Sequence, residues 1–191
     1  MHCGFVCWVN KTKAKFSSET VCGSGLNENL DYAVLEMALA SAAQREVATG
    51  EKSRIAINID VGSLVAPQFI RKAKKIIALS ELNPELIEIE LTEHSIIDDP
   101  KTVIQKMNQL IDIGVSFVLD DFGTGFSSLT HLHRLPVKKI KIDRSFVSKI
   151  GNEKSSTLIQ SIISTARLLG METTGEGAET HEHMVVLDAL G

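Results

Sequence analysis

The chain has 191 residues and a formal net charge of −4, with 23% of side chains charged. That length holds one sizeable core and most simply one domain, and the mildly acidic balance gives no electrostatic case for nucleic acid or an anionic membrane surface. Three cysteines, all within the first 22 residues, make no disulfide framework and suit a reducing cytoplasm.

Residues 1–27 read as an irregular segment. Cys3 and Cys7 with His2 lack a second Cys/His pair at zinc spacing. The apolar run over 4–9 is too short for a membrane span and has no basic flank ahead of it, although 5–9 could supply one short strand. Lys11, Lys13 and Lys15 are basic, and 17–25 is rich in Ser, Thr and Gly, which favours loop. Regular organisation begins with Leu30, Ala33, Val34, Met37 and Ala38 at helical spacing, so 29–47 predicts an amphipathic helix stopped by Gly50. Residues 55–59 predict a strand that delivers Asn58 and Asp60 near its end. Pro67 opens a helix over 67–80, with Lys72, Lys74 and Lys75 toward solvent. Residues 86–91 predict the next strand; Glu88 and Glu90, two apart, share one face, and Glu93 lies just beyond. Pro100 opens a helix over 100–113, and Gly114 stops it.

The stretch 115–147 carries the densest signal. Residues 115–119 are a short β-prone apolar run that ends in Asp120 and Asp121 and then a Gly123-Thr124-Gly125 turn. A helix pattern leads to Pro136 and a strand over 137–142, which carries Lys141 and ends at Asp143. After a turn at Gly151-Asn152, 155–169 predicts a helix capped by Gly170. A weak strand over 171–174 runs into Gly175-Glu176-Gly177, and 179–190 predicts a last helix.

Strict alternation of helix and strand, with no hairpin signal, predicts a parallel sheet with right-handed crossovers. A doubly wound sheet gathers ligands at one switch point, whereas a barrel converges every strand end on one centre. Five successive strands deliver Asn58, Glu90, Asp120, Lys141 and Glu176, which favours an α/β fold of the TIM-type (β/α) barrel. Such barrels usually have eight strands and about 250 residues, so 28–191 reads as the central βα units of an incomplete one.

An unpaired charge inside an apolar strand costs on the order of several kcal/mol. Whichever of Glu88 and Glu90 faces inward therefore predicts a metal or a cation, and Lys141 predicts carboxylates or phosphate. Lys138 and Lys139 read as a solvated strand end. Asp120 and Asp121 read either as a divalent-metal phosphate site beside a glycine loop or as a cap on the helix that follows. The histidines, among them His94, His131, His133, His181 and His183, are scattered and read as surface groups or supports behind the site. Donors limited to Asn and carboxylates point to Mg²⁺ or Mn²⁺ and away from zinc, and two such ions can bracket a phosphodiester in line with an attacking water.

The order of motifs resembles the bacterial EAL domain, a phosphodiesterase for the second messenger cyclic di-GMP. Its Glu-Leu-Thr-Glu stands here at Glu90 to Glu93, its Asp-Asp-Phe-Gly-Thr-Gly-Phe-Ser-Ser-Leu at Asp120 to Leu129, and its Lys-Ile-Asp at Lys141 to Asp143. Its Glu-Gly-Val-Glu stands as Glu176-Gly177-Ala178-Glu179, and the resemblance runs from about residue 26 to residue 191. It implies a modified TIM barrel, hydrolysis of cyclic di-GMP to linear pGpG, Mg²⁺ or Mn²⁺ as a pair of ions, a homodimer, and the bacterial cytoplasm. By resemblance, Asn58, Glu90, Asp120 and Asp121 are metal ligands, Lys141 holds the attacking water or the phosphate, and Glu176 is the general base or positions that water. Glu93, Gly123 and Gly125 belong to the loop that supports the site and the dimer, and Asp143 and Glu179 support the site from behind.

The sequence also departs from the family. The first strand and its Glu-Ala-Leu tripeptide, whose glutamate is a metal ligand in the family, have no counterpart ahead of the helix at 29–47. The Gln-Gly-Tyr segment of the last strand is absent too. Asp60 replaces the serine of Asn-x-Ser, and Gly175 replaces an alanine. Weak activity is therefore one expectation; a non-catalytic module that binds cyclic di-GMP or another protein is the alternative.

Overall fold

A computed structural model describes residues 26–96, 99–124 and 132–190; the expectations for residues before 26, for His131 and for Gly125 lie outside them. The described chain forms two compact units, one reaching to Glu90 and including Lys101–Ser116, the other containing Leu91–Pro100 and everything from Phe117 onward.

In the first unit, helix α1 (Leu26–Thr49) precedes strand β1 (Ile55–Asn58). A short helix α2 (Val61–Val65) and helix α3 (Phe69–Leu79) follow, then strand β2 (Ile87–Thr92) and helix α4 (Pro100–Ile111). β1 and β2 run parallel, with Ile55 opposite Ile87 and Asn58 opposite Glu90. β2 is buried on both faces from Ile87 to Leu91, as a strand flanked by helices on a parallel sheet must be. Leu35 and Leu39 of α1 meet the core beside Phe69, Ala73 and Ile77 of α3, all buried. Each fully buried Leu, Ile or Phe contributes roughly 1.5–3 kcal/mol. The Tyr32 ring stacks on Phe69 at 5.3 Å, and Lys72 Nζ sits 4.5 Å above the Tyr32 ring.

The opposite flank of α1 is apolar as well. Leu30 and Met37 are 61% and 68% exposed. With Val34, Ile55 and Ile57 they line a groove of about 400 Å³. The groove runs along β1, whose described strand partner within this unit is β2.

Two expectations change here. The helix expected over 67–80 begins only at Phe69, and α2 forms ahead of it. The cause is Asp60, whose side chain accepts the Gly62 N–H at 2.8 Å and caps the start of α2.

In the second unit, strand β3 (Ser116–Phe122, from Phe117 onward), strand β4 (Lys139–Ile142) and strand β5 (Glu172–Gly175) run parallel in chain order. Between them lie the short helix α5 (Arg144–Val147) and helix α6 (Glu153–Leu168); helix α7 (His181–Leu190) follows β5. Phe117, Leu119, Ile140, Val147, Ile159 and Ala166 build this unit's core. Here too the register corrects the sequence. Lys139 is not a solvated end: it lies in β4 two residues from Lys141, on the same face, with Nζ 3.9 Å from Glu172 Oε2. The last helix starts at His181 rather than residue 179, where the Thr180 hydroxyl accepts the His183 N–H at 3.1 Å.

Candidate active site

β3 does not end before the two aspartates but runs through both. Consecutive strand residues ordinarily point to opposite faces. Here the register against β4 shifts between Leu119 and Phe122, and Asp121 takes φ +53°, the left-handed region that few non-glycine residues enter. In this irregular stretch Asp120, Asp121 and Glu176 each present an oxygen within 4.8 Å of the others. The Asp121 N–H also donates to Asp120 Oδ1 at 3.0 Å.

Lys141 enters the same cluster from β4. Its Nζ lies 2.5 Å from Glu176 Oε1 and 3.1 Å from Asp120 Oδ1, and its side chain is 15% exposed. The sequence expectation that an inward lysine needs carboxylates is met by these two. Glu176 follows β5 and is placed by its own N–H, which donates to the Ile142 carbonyl at 3.0 Å.

Asp143 is at once the N-cap of α5 and a neighbour of Asp121. It accepts the Ser145 N–H at 2.9 Å. Burial, then the negative charges of Asp120, Asp143 and Glu176, hold the Asp121 carboxyl above the ordinary aspartate range, and its hydrogen bond with Asp143 acts in the same direction. Burial opposes ionisation of Asp143, but hydrogen bonds from Ser145, Asp121 and the Arg144 backbone outweigh it and hold that carboxyl below the ordinary range. The hydrogen bond between the two carboxyls acts in opposite directions on them, raising Asp121 and lowering Asp143.

Glu93 supports the loop after β3. It is 3% exposed, and its Oε2 accepts the Gly123 N–H at 2.9 Å. Gly123 has φ +99°, and a Cβ there would lie 2.9 Å from Phe146 Cε2, so glycine is required on both counts.

In the first unit, Asn58 and Glu90 are register partners at the ends of β1 and β2; Asn58 is exposed and Glu90 only 6% exposed. Glu88, on the same face of β2, meets Arg54 at 2.9 Å, so an arginine answers the buried charge there. Glu179 is exposed ahead of α7 and lies outside the carboxylate cluster. Of the departures from the family, Asp60 caps α2, and the space that a Cβ at Gly175 would need is taken by Leu187, 2.7 Å away.

One residue escaped the sequence reading. Asp31, 9% exposed on α1, accepts the Asp60 N–H at 3.1 Å through Oδ2. Its signal was present: it stands four residues before buried Leu35, a core-facing spacing where a charge is costly.

Among the described residues the cluster offers carboxylate oxygens without His or Cys, more than the Lys141 ammonium balances, and these suit a hard divalent cation. Asp120, Asp121 and Glu176 thus fit such an ion.

The EAL domain family model matches residues 18–191. The cyclic di-GMP phosphodiesterase PdeR of Escherichia coli is 36% identical over 74% of this chain and 22% of its own length. Among solved structures, the PaMucR phosphodiesterase in complex with c-di-GMP is 27% identical with a TM-score of 0.82, over 87% of this chain and 68% of that one. The manganese and cyclic di-GMP complex of Klebsiella pneumoniae BlrP1 is 28% identical with a TM-score of 0.78, over 86% of this chain and 42% of that one. The chain spans between 20% and 24% of the length of the first curated relatives it matches. Its fold is α/β of the TIM-barrel type shared by EAL domains. No described helix is long and apolar enough to cross a membrane. By the family match over residues 18–191, this chain belongs to the EAL domain family.

Proposed function

We propose that the chain is a divalent-metal-dependent phosphodiesterase that opens cyclic di-GMP to linear pGpG. The observation that carries this reading is Lys141 bridging Asp120 and Glu176 beside Asp121. In the reaction a water oxygen bonds to phosphorus, the P–O3′ bond breaks, the phosphate stays on the 5′ side, and O3′ leaves with a proton.

Asn58 and Glu90 in the first unit, and Asp120 and Asp121 in the second, would be the ligands to Mg²⁺ or Mn²⁺, which would supply neutralisation of phosphate charge and a more acidic water. Glu176, whose side chain is 26% exposed, would accept the proton that water releases or position that water. Lys141 keeps Glu176 and Asp120 in one orientation and offers an N–H toward the water or a phosphate oxygen. Glu93, a buried carboxylate, fixes the Gly123 backbone just after β3. Asp143 hydrogen-bonds with Asp121 and, as the cap of α5, ties it to that helix. A homodimer and the bacterial cytoplasm complete the proposal, supported by the exposed Leu30 and Met37 and by a reducing-compartment pattern of cysteines.

The test is chromatographic analysis of nucleotides after incubating the purified chain with cyclic di-GMP and Mn²⁺. Linear pGpG formed only with the metal supports the proposal. Binding of cyclic di-GMP without turnover favours the second reading, a non-catalytic binding module.

A further inference from the structure

The backbone just after Asn58 is pinned at successive amide groups. The Ile59 N–H donates to the Glu90 carbonyl at 3.2 Å, and the Asp60 N–H donates to Asp31 Oδ2 at 3.1 Å. The Asp60 carbonyl accepts the Leu64 N–H at 3.0 Å, and the Asp60 side chain caps α2 at Gly62. Strand β2, helix α1 and helix α2 thus each hold one part of this turn. Asp31 provides the single side chain from a distant element in that set, and it lines the same groove as Asn58.

A carboxylate 9% exposed on the core side of an amphipathic helix is an expensive group. A tie between α1 and the turn alone needs no charge, since an amide oxygen accepts an N–H equally well. A charge-assisted bond is shorter, stronger and more directional, so it fixes the peptide after Asn58 more firmly. Groups behind a ligand routinely set where the ligand atom stands, and losing one costs about 10–100-fold in metal affinity or activity.

We propose that Asp31 is a positioning residue: by holding the Asp60 N–H it fixes the end of β1, so that the Asn58 carboxamide stands ready for a divalent cation. The inference rests on the reading of Asn58 as a ligand.

The experiment is calorimetric titration of Mn²⁺ into the purified chain, with thermal melting beside it. Asp31→Ala is expected to weaken Mn²⁺ about tenfold. Asp31→Asn, which keeps an acceptor oxygen but not the charge, should recover only part of that loss. In an Asn58→Ala background Asp31→Ala should cause no further loss, because it acts through Asn58. Equal losses in both backgrounds would overturn the proposal, as would unchanged affinity with a lowered melting temperature, which marks a structural tie. If Asn58→Ala alone leaves Mn²⁺ affinity intact, the ligand reading fails and this inference with it; if Asn58→Ala weakens binding while Asp31→Ala does not, only the inference fails. Should Asp31→Ala not fold, the donor side tests the same bond. Asp60 has φ −70°, which proline adopts without strain while lacking the N–H. Asp60→Pro is expected to weaken Mn²⁺ about tenfold relative to Asp60→Ala, which loses only the cap; equal affinities would overturn the proposal.

Discussion

Lys141 stands closer to Glu176 than to Asp120, at 2.5 Å against 3.1 Å, although Asp120 is the more buried of the two carboxylates. The lysine therefore pairs most tightly with the more exposed of the two carboxylates. Lys141→Ala is expected to lose at least about a hundredfold in turnover, the usual loss when one positioned charge is removed from a reacting centre. Nucleotide chromatography on folded protein checks it. A sharp fall in melting temperature with turnover per folded molecule unchanged would make Lys141 a structural ion-pair partner instead.

Asp120→Asn should weaken Mn²⁺ about tenfold or more, because the carboxylate supplies both an oxygen and charge to a cluster whose donors lie within 4.8 Å. Calorimetry on the folded variant decides the matter, and unchanged affinity removes Asp120 from the ligand set.

Asp121 sets the pH dependence. Its carboxyl is raised above the ordinary 3.8 by burial, then by Asp120, Asp143 and Glu176, so the folded state binds this proton more tightly than the unfolded state. The stability gained from it is fully present below pH 3.8 and is lost as pH rises through the raised value. A cation competes with the same proton, so Mn²⁺ affinity should fall on acidification at a pH above that at which an ordinary aspartate would lose it. Asp121→Asn should flatten the acid limb of the titration. An acid limb of unchanged steepness would assign the proton to another group.

Glu93→Ala leaves the Gly123 N–H without its acceptor and should destabilise by about 1–3 kcal/mol, whereas Glu93→Gln should recover part of it. Gly123→Ala should cost at least about 1 kcal/mol, since φ +99° and the Phe146 ring at 2.9 Å both oppose a methyl group. Denaturant unfolding measures both. A neutral Gly123→Ala would mean that Phe146 moves aside freely.

Where a feature depended on period and spacing, the sequence was legible. Alternating helix and strand patterns located the five strands, and the costly charges Asp120 and Lys141 within them pointed to the cluster. Features made by tertiary contact were not legible. The Asp60 cap that starts α2 looks in sequence like a strand end, and the Asp143 cap that starts α5 is masked by its motif. Lys139 looked solvated because three lysines crowd one strand, and only its register with Glu172 shows the pairing. That adjacent aspartates meet Glu176 in one cluster, at an irregular stretch with a left-handed residue, has no period at all.

The groove between α1 and β1 has a thermodynamic corollary. A partner that covers Leu30 and Met37, such as a second copy of the chain, can bind only the folded state, because the groove exists only there. Binding of that kind adds RT ln(1 + [L]/Kd) to the unfolding free energy. If that partner is a second copy of the chain, the melting temperature becomes a function of the protein's own concentration, and dilution by itself acts as a denaturant.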